Sequence, residues 1–282
     1  MPYDGILTSP IKKIKQELYM SAEATASKGL EWKWLIFGII AGTALCVSLH
    51  LMIAQTFHIP LIPTFMSLLG FVVMGIVIGY KSEGYTVKEP AIGGVVTLLL
   101  VGNILSFGFD YNFTVMEKIL APIVGLILGV IGGWVGEQIQ VTPEEAAKEL
   151  EEEKKGGIQW GWVLAGTVLA FIMNAFFVVG GFALLKFSVG GILLAFGASF
   201  LFAGLLVGYF SPGVTIKEAA LAGVLSVILN ALFLYSFSLL MAEEYMYVLE
   251  GLAGGFILSL AGGWLGEKLQ AFMEDKNGEE KE

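Results

Sequence analysis

Long uncharged apolar runs alternate with short polar breaks along this chain. Eight such runs fall at about 34–57, 63–80, 89–107, 117–136, 160–185, 188–209, 217–238 and 246–266, each near the roughly 20 residues a helix needs to cross a bilayer. They are apolar on all sides, whereas barrel strands would alternate apolar and polar positions, so the pattern predicts an all-α, polytopic membrane bundle of eight transmembrane helices.

The polar breaks then orient the bundle. There is no arginine, and 14 of the 16 lysines fall on one side of an eight-span arrangement; only Lys118 and Lys186 fall on the other. The positive-inside rule makes the crowded side cytoplasmic and places both termini there. A cleaved signal peptide is not expected, because more than 30 polar or mixed residues precede the first apolar run. The expected location is the cytoplasmic membrane of a bacterium or archaeon.

Composition agrees and removes other classes. Of 282 residues, 56% are hydrophobic and 15% charged, against about 45–50% and about 25% in soluble domains. Cys46 is the single cysteine, so no disulfide framework exists. A net charge of -9 argues against a nucleic-acid partner, which would need clustered basic residues.

The chain also repeats itself. GYKSEGYTVKE at 79–89 matches GYFSPGVTIKE at 208–218, and GGWVGEQIQ at 132–140 matches GGWLGEKLQ at 262–270. Trp32-x-Trp34 matches Trp160-x-Trp162, with Gly38 and Gly166 four residues beyond the second tryptophan of each pair. These landmarks keep their order at offsets of 128 to 130 residues. Each half then holds four spans, and an even number enters the membrane in the same direction twice. That predicts two tandem parallel four-helix repeats about a pseudo-two-fold axis along the membrane normal. The expected organisation is an N-terminal cytoplasmic segment over 1–33 with a basic amphipathic interfacial helix, a first repeat over 34–140, a charged cytoplasmic linker helix over 141–158, a second repeat over 159–270, and an acidic disordered tail over 271–282.

The repeated cytoplasmic corner is a turn followed by a helix start. Gly84 and Gly213 supply a positive φ, and Ser82 and Ser211 can bond back to the turning backbone. Thr86 with Glu89, and Thr215 with Glu218, have capping-box spacing. Lys88 and Lys217 are not needed by the turn, which leaves a gate or docking surface open as a second reading. Glu137 and Glu267 end the fourth and eighth spans, where a carboxylate opposes the helix dipole, so ion pairs with Lys88 and Lys217 are expected.

Glycine is concentrated in the spans at four-residue spacing. Gly125, Gly129, Gly133 and Gly136 mark the fourth span, and Gly251, Gly255, Gly262 and Gly266 mark the eighth. Small residues so spaced let backbones approach closely, either inside the bundle or at a homodimer contact.

Chemistry at membrane depth is sparse. No Asp, Glu or Lys lies near the middle of a span, which argues against proton coupling through buried charges. His50, Asn103, Asn174 and Asn230 remain, as polar contacts between helices or as the lining of a solute path. His50 and His58 have no acid or cysteine cluster to complete a metal site, and no catalytic, metal or cofactor motif occurs. The reading is a non-enzymatic permease- or channel-like protein that passes a small neutral, weakly polar or lipid-like solute between its two halves. The alternative is a structural or accessory subunit of a membrane complex that binds a protein partner, or a second copy, through its glycine faces.

Overall fold

The computed structural model describes residues 30–57, 61–82, 87–109, 111, 113–140, 151, 156–186, 188–213, 215–236 and 245–279. Among them are eight helices long and apolar enough to cross a membrane. These are α1 Trp32–Ala54, α2 Leu61–Lys81, α3 Lys88–Phe109, α4 Val115–Ile139, α5 Trp160–Ala175, α6 Val189–Phe210, α7 Ile216–Ser236 and α8 Tyr245–Glu279. The α5 rod continues through a π-helical stretch, Phe176–Gly180, into a last α-helical turn, Gly181–Leu185. Large apolar side chains such as Ile40, Phe107, Ile119, Leu194, Leu232 and Tyr247 stand exposed around the bundle. So much open apolar surface suits lipid as the solvent and marks the protein as membrane-embedded.

Local chemistry sets the helix ends. Ser188 caps α6 by accepting the Gly191 N–H at 3.3 Å. Pro90 sits in the first turn of α3, where a missing N–H costs nothing. Gly213 turns the chain between α6 and α7 with φ 87°, the positive φ its position predicts. Lys186 closes the fifth rod in the left-handed region at φ 51°.

Within each half, the fourth helix packs against the second and third. A Cβ on Gly75 would lie 2.7 Å from the Gly129 carbonyl oxygen, and Gly79 stands closer still to Gly133, joining α2 to α4. Gly125 faces Gly94 across α4 and α3, with 2.6 Å between a built Cβ and the Gly94 oxygen. In the second half Gly204 meets Ser259, Gly208 meets Gly263, and Gly223 meets Gly255. Gly132, Gly136, Gly262 and Gly266 likewise lie against backbone of α2 or α6, while Gly133 faces the Pro90 ring and Gly251 the Val227 side chain. The glycine faces are therefore covered inside the chain.

The halves meet through side chains instead. Ile53, Met66, Leu69 and Val72 of the first half pack with Ile172, Ala175 and Ala183 of the second. Val135 packs with Ala165 and Leu169. Phe65 lies between Phe171 and Phe233, with ring centroids 5.9 Å and 4.2 Å away.

One expectation fails at the C-terminus. The tail over 271–282 was expected to be disordered, but α8 continues to Glu279. No proline interrupts it, and its Glu, Lys and Met residues are good helix formers. The interfacial helix expected before residue 30 and most of the charged linker lie outside the described residues.

Candidate functional site

A cavity of about 480 Å³ opens among α1, α2, α3 and α4 at the end of the first half away from the lysine-rich corners. Helix direction explains its shape. α3 runs toward this end, bringing Leu98, Val101, Asn103 and Ser106 to successive levels, while α2 and α4 run away from it, starting with Thr64 and Lys118. Lys118, Thr64 and Ser106 therefore ring the mouth, and Phe71, Leu98 and Val124 form the floor. From Lys118 to Val124 the helix rises about 9 Å. His50, Ser67 and Asn103 lie between these levels.

His50 is buried and meets Tyr111 edge-on at 5.2 Å, and Tyr111 stacks on Phe113 at 4.6 Å. Ser67 donates its hydroxyl to the Cys46 carbonyl at 3.2 Å. Asn103 is exposed and returns its amide to the Leu99 carbonyl at 2.7 Å. With Leu99, Phe107 and Leu120 also exposed, the cavity opens sideways between α3 and α4.

The second half carries a bulky side chain at the matching position of the repeated sequence. Phe196 stands 129 residues after Ser67 and packs edge-on against Phe200 at 4.8 Å, over Ala170, Ala203 and Val227.

The four polar residues expected along a path between the halves are thus dispersed. His50 and Asn103 line the first-half cavity. Asn174 is buried inside the second half, where its Oδ1 accepts the Ser199 hydroxyl, and its Nδ2 is buried without a partner among the described residues. Asn230 donates back to the Ser226 carbonyl at 2.8 Å. Between the halves stand apolar and aromatic side chains.

The corners differ from expectation in three ways. Glu267 does not pair with Lys217: its Oε1 accepts the Thr215 N–H at 2.7 Å, and Lys217 is exposed with no ion pair among the described residues. Lys88 is exposed in the same manner, and Glu137 is half-buried. The start of α7 offers free amides beside Glu267 of α8, and a charge-assisted N–H bond outcompetes a solvated lysine.

Second, the capping box at 215–218 does not close on itself. Glu218 turns away, is buried, and accepts the Gln159 N–H at 3.2 Å, while Thr215 and Ser211 bond through their hydroxyls. Glu89 behaves as Glu218 does, buried and accepting the Glu31 N–H at 3.3 Å. Each glutamate thus caps the first helix of its own half. Third, Ser82 is buried without a hydrogen-bond partner among the described residues. Gly84, Thr86 and His58 lie outside the described residues.

Sequence reasoning missed Ser67, Thr64, Ser106 and Lys118 as cavity residues. A usable signal existed: small hydroxyl residues stand in α2 and α3 where the second half carries bulky ones. Among the described residues no group of three or more His, Cys, Asp or Glu gathers as a metal site would. No family model, characterised protein or solved structure matches this chain.

Proposed function

We propose that the protein receives an amphipathic, lipid-like molecule in the first-half cavity, apolar end first, and carries or holds it within the membrane. The supporting observation is the gradient from Lys118, Thr64 and Ser106 at the mouth to Phe71, Leu98 and Val124 at the floor. A volume of about 480 Å³ falls within the roughly 300–1,000 Å³ of small-molecule sites. Lys118 at the mouth favours an anionic head group, and the side opening suits a ligand arriving from lipid.

This reading keeps the chain as two tandem parallel four-helix units with both termini cytoplasmic, supported by the repeated sequence landmarks and the lysine distribution. The mouth then faces the outer leaflet. No enzymatic step is invoked.

The test uses purified protein in phosphatidylcholine nanodiscs with a fluorescent fatty acid as probe. Saturable binding is expected, weakened at least tenfold by Ser67→Phe and less by Lys118→Gln. Absence of saturable binding, or equal binding by Ser67→Phe, overturns the assignment of the cavity. Probe movement across vesicles containing the protein separates carriage from holding.

A further inference from the structure

Of the polar residues that line the first-half cavity, His50 and Ser67 are buried, at 6% and 5% exposure, whereas Thr64, Asn103, Ser106 and Lys118 are not. The two buried ones differ in what they have left to offer. Ser67 gives its hydroxyl hydrogen to the Cys46 carbonyl at 3.2 Å. The His50 ring nitrogens make no hydrogen bond among the described residues. A buried polar group left unpaired is costly, and a ligand that pairs it recovers that cost.

His50 stands where such a ligand would meet it. It follows Cys46 by one turn on the same face of α1, and the bond from Ser67 to the Cys46 carbonyl joins that face to α2 at the cavity wall. Tyr111 meets the ring edge-on at 5.2 Å and stacks on Phe113 at 4.6 Å, which holds the imidazole without a hydrogen bond to its nitrogens. The side opening lies between α3 and α4, so a ring carried by α1 belongs to the closed side of the cavity.

A neutral imidazole carries one donor and one acceptor nitrogen. A hydroxyl both gives and takes a hydrogen bond and so satisfies either nitrogen, whereas a carboxylate only accepts. Lys118 at the mouth already suits the anionic group. What remains for His50 is a second, uncharged group on the ligand's chain.

We infer that His50 is the specificity-determining residue of this cavity and selects an amphipathic acid bearing a hydroxyl along its chain, which rests on the lipid-like ligand proposed above. A plain acyl chain drives out the water that solvates the ring and returns no hydrogen bond. A hydroxylated chain returns one.

Displacement of the fluorescent fatty acid from the full chain in phosphatidylcholine nanodiscs tests this, with stearate and hydroxystearates substituted at successive carbons as competitors. At least one hydroxystearate is expected to compete about tenfold better than stearate. His50→Phe keeps a ring of similar shape but loses both nitrogens, and is expected to bring that hydroxystearate to the level of stearate while stearate competes as before. His50→Gln, which still gives and takes a hydrogen bond, is expected to retain part of the preference. The thermal midpoint of ligand-free His50→Phe is expected to equal or exceed that of the native chain, because an unpaired buried polar group is gone; a structural ring would lower it. His50→Leu keeps the test open if phenylalanine overfills the site. Probe binding with no preference for any hydroxystearate, or a preference that survives in both His50→Phe and His50→Leu, overturns selection by His50 and leaves the cavity assignment standing. Absence of saturable probe binding removes both.

Discussion

The Glu267 carboxylate of α8, about three turns before that helix ends at Glu279, accepts the backbone N–H of Thr215 at the threshold of α7, at 2.7 Å. A carboxylate complements the N-terminus of the helix it faces, and because α8 runs on to Glu279 this one is clear of its own helix's C-terminal dipole end. The acid that looked misplaced on α8 is well placed for α7.

Glu267→Ala is therefore expected to destabilise the protein by about 1–3 kcal/mol, since a part-buried N–H loses its acceptor. Lys217→Ala is expected to change little. The double mutant is expected to be additive within about 0.5 kcal/mol, and a larger coupling energy in denaturant titrations would restore the lysine as the partner.

Backbone contact makes glycine obligatory at some positions and idle at others. Gly79→Ala drives a methyl group into the Gly133 carbonyl and is expected to cost about 1–3 kcal/mol. Gly102 has nothing within 4 Å of a built Cβ, so Gly102→Ala is expected to be neutral or to stabilise by up to about 1 kcal/mol. Thermal midpoints in one detergent compare the pair, and equal losses would show that the glycines act through helix propensity alone.

The asparagines divide in the same way. Ser199→Ala removes the hydroxyl that Asn174 accepts inside the second half, with an expected loss of about 0.6–1.7 kcal/mol. Asn103→Leu replaces an exposed amide bonded only within its own helix, and stability is expected to hold or rise. Unfolding assays in mixed micelles would contradict this if Asn103→Leu proved the more damaging change.

Cys46 is 0% exposed, so the native chain is expected to resist maleimide and to label fully only once denatured. That makes it a silent background for mapping orientation. A cysteine at the exposed Met116 is expected to react with an impermeant reagent from outside intact cells, and one at the exposed Lys88 only after permeabilisation. The opposite pattern would invert the orientation.

The eight helices were legible because each needs only an uninterrupted apolar run, and that is a local property. Helix ends were legible to within a few residues, except at α8, where nothing in the chain stops the helix as it leaves the apolar region. Glu89 and Glu218 were read as caps of the helices they begin. Their spacing fits that role, but their burial depends on where α1 and α5 start, which no local pattern encodes. The cavity left a trace in the sequence, Ser67 against Phe196 at the matching position, but its meaning depends on which face of α2 points inward, and that is set by packing.

The seam between the halves has a further consequence. Its contacts are apolar side chains such as Phe65 against Phe171 and Phe233, and lipid tails solvate such surfaces as readily as each other's side chains do. Covalent connection then does what surface chemistry does weakly: it holds the two halves at a high effective concentration. Two separately synthesised halves would form the seam only as their abundance in the membrane allowed, so a single chain makes their stoichiometry and proximity independent of expression level.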